Sequence, residues 1–513
     1  MPQLRRITVD ELHDRRWELL ALTSVGAFMT PLDGSIVSVA LAKMGPELKL
    51  SFGASIWVQI AYLLTTAVLL IPLGRLADHR GRVHFYLAGI VVFTVGSLLS
   101  GLSMSGTWLI ASRVIQGGGG ALLAATSAAI VTSVFPPHER GKALGINVMA
   151  VYIGLAVGPV LGGQIVDNLG WRWIFFINIP IGLVTFAWGW LLLPRIERLN
   201  EKAPRNDLVG AALLGAFLVC LLVPLTFGPE WGWGAARTVV LLVASAVSLV
   251  GFVYTELHVK DPVLDLDLLL HNRLFATANT AALLNYMALY GISILTAIYL
   301  EVVQGRSAGE TGWLMVAQPA MMAILSPFAG RLSDRLGSRL LSTTGMVLVA
   351  TGMVMLATVP TTAGIARVMV SLAVVGIGMA AFSAPNTSAI MGSVERSKLS
   401  LAGAFLGTMR VTGQALSVAV LGAIAASQLG VSGTRLIYTG GQAVGAAAHG
   451  AAATAAATAA AHIAQDYALG YKYAMFTGAG LALLGALASL TRPTQAAPAQ
   501  SPPPTPAVQP REG

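Results

Sequence analysis

Two ionisable residues stand where an apolar chain tolerates them least. Asp33 lies in "MTPLDGSIVSVALA" and Arg113 in "LIASRVIQGGGGALL", both stretches of helical length. Charged groups inside membrane-length helices are rare and costly, and they mark ion pathways or buried pairs. Burial disfavours a carboxylate's charge, whereas a nearby guanidinium favours it. An Asp held between these opposing effects can take a proton from one side and release it to the other. The competing reading is a structural ion pair tying two helices together.

Other polar residues interrupt apolar runs. Glu301, in "AIYLEVVQG", ends one such run. It reads either as a second proton or cation site or as a solvated helix end. Asn147, Asn285 and Asn386 suit the polar wall of a substrate cavity, or hydrogen bonds between helices. Arg410, in "GTMRVTGQAL", is within a long side chain's reach of its span's end, so a structural or gating role is expected.

These residues need elements to hold them. The chain has 513 residues, 55% hydrophobic and 11% charged. Soluble domains carry roughly a quarter charged residues, so this is the composition of a membrane protein. A spanning helix needs about 20 apolar residues. Fourteen spans are expected, near 17–42, 53–73, 84–104, 107–134, 143–166, 173–193, 208–227, 237–257, 276–300, 313–330, 340–358, 365–391, 404–427 and 471–490. Along a helix rising about 1.5 Å per residue, Asp33 lies roughly 24 Å from one edge and Arg113 roughly 9 Å from the other. In a core about 30 Å thick the two share a depth and can face one cavity.

The positive charge, net +9, is not a nucleic-acid patch. Of 32 Lys and Arg, 22 lie in the segments on the side of the N-terminus and about 8 opposite. The positive-inside rule makes the richer side cytoplasmic, with both termini there. The lone Cys220 makes no internal disulfide. The Ala-rich stretch 428–470 is expected as an outer loop, and the Pro-rich 491–513 as an unfolded cytoplasmic tail. The domain reading is a cytoplasmic segment 1–16, a six-helix bundle 17–193, a linker 194–275 carrying two extra helices, and a second bundle 276–490.

Two loops repeat. "GRLADHRGR" (Gly74 to Arg82) follows the second span, and "GRLSDRLGSR" (Gly330 to Arg339) follows the tenth. Repetition at matching places signals a duplicated bundle. Gly74 and Gly330 allow close approach of helix ends. Asp78 and Asp334 are expected just before the next helix, where its dipole favours negative charge. Arg82 and Arg335 can pair with them as an inner latch. The plainer reading is a charged turn that sets topology.

These motifs resemble those of the major facilitator superfamily, specifically its fourteen-span drug:H+ antiporters. "LGRLADHRGR" is similar to the superfamily's signature loop, "RVIQGGGGA" to its span-four motif and "GLAVGPVLGG" to the antiporter motif of span five. "LDGSIVSVAL" and "WRWIFFINIPIG" resemble patterns of the fourteen-span branch. The resemblance implies two six-helix bundles, two extra linker helices and proton-coupled export by alternating access. Where the family commonly has Gln, this chain has Glu301. In "GLAVGPVLGG", Gly154, Gly158 and Gly162 fall on one helix face and Pro159 can bend the helix, so a contact surface between bundles is expected.

The expectation for function is a proton-coupled exporter of amphipathic, often cationic, small molecules from the cell (inner) membrane. Its partners are the substrate, protons and the bilayer, with a monomer favoured. No cofactor, enzyme activity, metal or nucleic acid is expected: there is no "GxxxxGK[ST]" loop and the eight His are scattered. A dedicated metabolite or lipid exporter of the same fold is the alternative. A non-transporting receptor or scaffold would leave Asp33 and the doubled loop unexplained.

Overall fold

The computed structural model describes residues 15–136, 139–192, 207–260, 262–361, 364–395, 398–430, 433–434, 437 and 451–493. Nearly all of the expected N-terminal segment and Pro-rich tail lie outside them. Among the described residues, fourteen helices are long and apolar enough to cross a membrane. The first six are α1 (Arg16–Ser38), α2 (Phe52–Arg80), α3 (Arg82–Gly101), α4 (Gly106–Val134), α5 (Arg140–Asn168) and α6 (Trp173–Phe176, continued by Asn178–Leu192). Two more follow, α7 (Leu208–Trp231) and α8 (Ala236–His258). The last six are α9 (Arg273–Ile298), α10 (Ala308–Met315 and Ala317–Leu336), α11 (Ser338–Ala357), α12 (Ile365–Gly392), α13 (Leu399–Ser427) and α14 (Ala451–Leu490).

Local chemistry explains several starts. Ser51 accepts from Ala54 N at 3.3 Å, Ser105 from Trp108 N at 3.2 Å and Asn272 from Phe275 N at 3.0 Å. Each satisfies a backbone donor that the first turn leaves free.

The duplication is visible in the packing. In the first six helices the first packs on the fifth, the second on the fourth, and the third on the fourth and sixth. In the last six, α9 packs on α13, α10 on α12, and α11 on α12 and α14, which is the same pattern. The two most extensive contacts between the bundles are α2 with α13 and α5 with α10, again the same pair of positions exchanged. The extra helices pack on each other, and α7 lies along the seam, touching both α2 and α13.

Two expectations are corrected here. The last helix begins at Ala451, so the Ala-rich stretch is helix rather than loop from there onward. Alanine has the best intrinsic helix propensity, and the stretch simply extends the span that follows. The repeated loops are also mostly helix: α2 runs to Arg80 and α10 to Leu336. The turns are single glycines, Gly81 (φ 113°) and Gly337 (φ 83°), in the left-handed region that glycine adopts without steric cost. Asp78 is therefore inside α2, not in a connection before α3.

Candidate functional site

Asp33 lies on α1 five residues before its end at Ser38, two residues after Pro31, and Arg113 lies two turns into α4. Both are fully buried. Arg113 Nη1 meets Asp33 Oδ2 at 2.5 Å. The same nitrogen donates to Gln116 Oε1 at 2.5 Å, and Nε donates to the Val58 carbonyl at 3.0 Å. The guanidinium lies over the Tyr62 ring, 4.5 Å from its centroid, with Phe175 at 5.8 Å. Cation–ring contacts of this kind gain strength when desolvated.

The other oxygen of Asp33 is held by neutral donors. Gln116 Nε2 reaches Oδ1 at 2.8 Å and Asn178 Nδ2 at 3.2 Å. Gln116 Nε2 also donates to Ser97 Oγ at 2.7 Å. Three helices, α1, α4 and α6, thus meet at one carboxylate, and Ser97 ties α3 to it through Gln116. A buried ion pair offsets its desolvation only with such extra hydrogen bonds. Two buried atoms in the cluster have no partner, Arg113 Nη2 and Asn178 Oδ1.

The sequence reading missed Gln116 and Asn178. The signal for Gln116 was present: it follows Arg113 by three residues, on the same helix face. Asn178 stands within "WRWIFFINIPIG" as the one amide of that segment. The rest of that segment has a separate task. Trp171 Nε1 donates to Glu47 Oε2 at 2.5 Å, Arg172 pairs with Glu47 Oε1, and the Arg172 guanidinium lies 4.3 Å from the Trp171 ring centroid.

The second bundle approaches through tyrosines. Tyr290 of α9 accepts from Gln59 Nε2 at 2.8 Å, and a Cβ on Gly34 would come within 2.8 Å of its hydroxyl. Gly34 thereby admits a side chain from the opposite bundle directly beside Asp33. One turn away, Tyr286 is within reach of the Arg410 charge. Tyr152 of α5 and Ser383 of α12 meet across the bundles at 3.4 Å. Arg410 is exposed although it lies eleven residues into α13, roughly 16 Å along the helix. Arg410 thus lies beside Tyr286 of α9, well inside its helix rather than at the end.

The three asparagines lie between neighbouring helices. Asn147 donates to Ser127 Oγ at 3.2 Å, Asn285 to Met379 Sδ at 3.2 Å, and Asn386 accepts from Arg492 at the end of α14. None of the three contacts Asp33. Glu301 lies on a π-helical turn, Tyr299–Val303, that continues α9. Its Oε1 is buried without a hydrogen-bond partner, and Lys43 and Asp167 are the charges that act on it.

The repeated segments behave differently from each other. Arg82 Nε meets Asp78 Oδ1 at 2.6 Å across Gly81, and its Nη1 donates to the Ala129 carbonyl at 3.2 Å, which ties α2 and α3 to α4. A Cβ on Gly74 would touch Ala125 Cβ at 3.4 Å, so α2 and α4 are close there. Gly330 has open space around it, contrary to the close approach expected, and Arg335 is exposed. The side chain of Asp334 lies outside the described residues.

The glycine face of α5 also departs from expectation. Gly154 presses on the Phe28 carbonyl of α1 and Gly162 on the Ile36 side chain, each with a hypothetical Cβ 2.6 Å away, and Gly158 presses on Ser35. That face packs inside the first bundle. The contact between bundles is made by Gly163, against the backbone of Ala308 and Gly309, and by the Pro159 carbonyl, against Gly312. These meetings, with Ile56 against Gly422 and Phe52 against Tyr467, lie at the end opposite the repeated segments. At the other end of α5 and α10, Gly145 and Gly330 have nothing within 4 Å.

A profile of the Major Facilitator Superfamily matches residues 23–269 and 278–511. The riboflavin transporter RibZ of Clostridioides difficile is 32% identical over 81% of this chain and 89% of its own length. The multidrug resistance protein Stp of Mycobacterium tuberculosis is 34% identical over 81% and 77%. The tetracenomycin C resistance and export protein of Streptomyces glaucescens is 30% identical over 82% and 78%. Among solved structures, a bacterial homologue of the human lysosomal transporter Spinster, in an inward-facing and unoccupied conformation, superposes with a TM-score of 0.63, 16% identity, and 93% and 96% of the two chains covered.

Proposed function

The chain belongs to the Major Facilitator Superfamily, and from that premise we propose that it exports amphipathic small molecules in exchange for protons. The observation that carries this reading is Asp33: fully buried, ion-paired to Arg113, and beside Tyr290 of the opposite bundle. In the described arrangement Arg113, Gln116 and Asn178 all donate to the carboxylate. Alternating access supplies the cycle. When α9 moves with its bundle, the surroundings of Gly34 and Asp33 change, and the balance between burial and Arg113 changes with them. A proton enters Asp33 in one arrangement and leaves in the other.

The Lys and Arg bias orients the chain with the repeated segments and both termini in the cytoplasm of a bacterial inner membrane. The contact of Gly163 with Ala308 then closes the outer side, and the inner side opens where Gly145 and Gly330 have nothing against them. Substrate enters from the cytoplasm toward Arg410, Tyr286 and Tyr152. The two six-helix bundles, 17–193 and 276–490, move as bodies, and 194–275 connects them.

The test is transport in proteoliposomes under an imposed pH gradient, with a panel of unrelated cations and neutral aromatics. Gradient-driven movement of several, lost in Asp33→Asn, supports the proposal. Transport that ignores the gradient refutes it. A second reading, a dedicated metabolite exporter, is favoured by the 89% coverage of a relative named for riboflavin. One accepted solute in the same panel selects it.

A further inference from the structure

At the end of the two extra helices nearest the repeated segments, two carboxyl groups face one point. Asp207 caps α7, its Oδ1 accepting from Gly210 N at 2.8 Å. Glu256, on the last turns of α8, accepts from Leu264 N through Oε2 at 2.9 Å. Their remaining oxygens, Asp207 Oδ2 and Glu256 Oε1, are buried and have no hydrogen-bond partner. Asp207 is 9% exposed and Glu256 3%. Both free oxygens are aimed at the space above Gly210: a Cβ there would lie 2.5 Å from Glu256 Oε1 and would collide with Asp207 Oδ2.

We propose that Asp207 and Glu256 form a binding site for a single proton, shared as a carboxyl–carboxylate pair between α7 and α8. Two carboxylates sharing a buried site repel each other, and one proton converts that repulsion into an O–H···O⁻ hydrogen bond. It also supplies the one donor that two orphaned acceptors lack. A metal cation is the poorer occupant. Hard cations take six or more oxygens, whereas only two are free here.

The neighbouring charges are consistent with one retained proton. From α2, the Arg75 charge acts on Glu256, and Arg75 is itself hydrogen-bonded to the Pro262 carbonyl. Beyond α8, Asp265 pairs with Lys398 at 3.7 Å, and Asp267 pairs with His271. His258 and Lys260 are exposed. The site therefore links three parts of the molecule: the α7–α8 pair, the segment at 262–264, and α2 through Arg75. Because α7 lies along the seam between bundles, and Glu230 at its other end accepts from Gly53 N of α2 at 3.3 Å, the proton fastens one end of a strap on that seam.

The experiment is infrared spectroscopy of the full-length protein in lipid nanodiscs, titrated with pH. A protonated-carboxyl band at neutral pH is expected, retained in Asp33→Asn and Glu301→Gln but lost in Glu256→Gln and in Asp207→Asn. Either amide donates where the proton stood, so both variants should fold. Thermal unfolding supplies a second readout. Loss of the shared proton would leave two buried carboxylates facing each other, so stability should fall as pH rises through its release. The parent should show that fall and Glu256→Gln should not. Bands unchanged in both amide variants, or a carboxylate signal that responds to Na⁺ or K⁺ instead of pH, would overturn the proposal. Neither readout requires transport, so the result is separable from that of the exporter reading.

Discussion

Gly163 of α5 and Ala308 of α10 meet backbone to backbone, with the position of a Gly163 Cβ 2.8 Å from the Ala308 carbonyl carbon. Nothing there is a flexible side-chain end that can swing away. The contact joins the two bundles, so it exists only while that end is closed. Gly163→Val should shift the molecule toward the alternative arrangement without unfolding it. Spin-label distances between the ends of α5 and α10 are the check, with a longer population expected. Gly158→Val is the control. It strikes Ser35 inside one bundle, a contact needed in every arrangement, and should lower thermal stability by about 1–3 kcal/mol from overpacking.

Asp33→Asn should abolish pH-driven transport and also cost stability. The substitution leaves Arg113 buried with its charge uncompensated, and removing one partner of a buried pair costs about 3–5 kcal/mol. Asp33→Asn with Arg113→Gln should recover part of that loss while transport stays absent. Recovery of transport in the double variant would remove proton binding from Asp33.

Gln116→Leu tests the neutral half of the same cluster. It deletes the 2.8 Å donor to Asp33 Oδ1 and leaves Asn178 alone on that oxygen. The rate of pH-driven transport should fall severalfold while the protein still folds. Unchanged transport would make Gln116 a packing residue.

The depth argument placed Asp33 and Arg113 together because helix rise and bilayer thickness are nearly fixed quantities. The fourteen spans were legible for the same reason, since hydropathy and span length report directly on the bilayer. Helix ends were less so. A run to Arg80 needed the single-glycine turn at Gly81, and nothing in composition separates a charged helix end from a charged loop. The start of the last helix was not legible because alanine is neutral for membrane insertion yet strongly helical. Asn178 and Tyr290 join the site only through tertiary packing between helices distant in sequence, which periodicity within one helix does not reveal.

Glu47 gives a prediction with a definite sign in pH. Burial raises its proton affinity, but the hydrogen bonds from Arg172 and Trp171, with the Arg172 charge, outweigh this and hold the carboxyl below its ordinary value. The stabilisation is present above the unfolded carboxylate's value and disappears as pH falls through the folded one. Half the Glu47 side chain is exposed, so its worth is below about 1 kcal/mol. Glu47→Gln should lower the unfolding temperature slightly at neutral pH and leave it unchanged in acid. Equal effects at both would assign the loss to packing.

Glu301 stands at the same end of the molecule as the Gly163–Ala308 contact, with a buried, unpartnered oxygen. Of the two charges that act on it, Lys43 attracts and Asp167 repels. Asp167 lies on α5 and is committed elsewhere, its Oδ2 accepting from Gly309 N of α10 at 2.7 Å. That hydrogen bond is part of the closure between bundles. An ionised Glu301 beside it works against closure, and a neutral one does not. Glu301→Gln should therefore favour the closed end, shortening label distances between α5 and α9 at that end and slowing turnover. The parent should approach the same distances when the pH is lowered, because protonation removes the same charge. If Glu301→Gln leaves the distances unchanged at every pH, the carboxylate has no part in closure. Measuring a divalent and a neutral substrate side by side separates this from cargo selection: closure slows both alike, whereas a cation site slows only the divalent one.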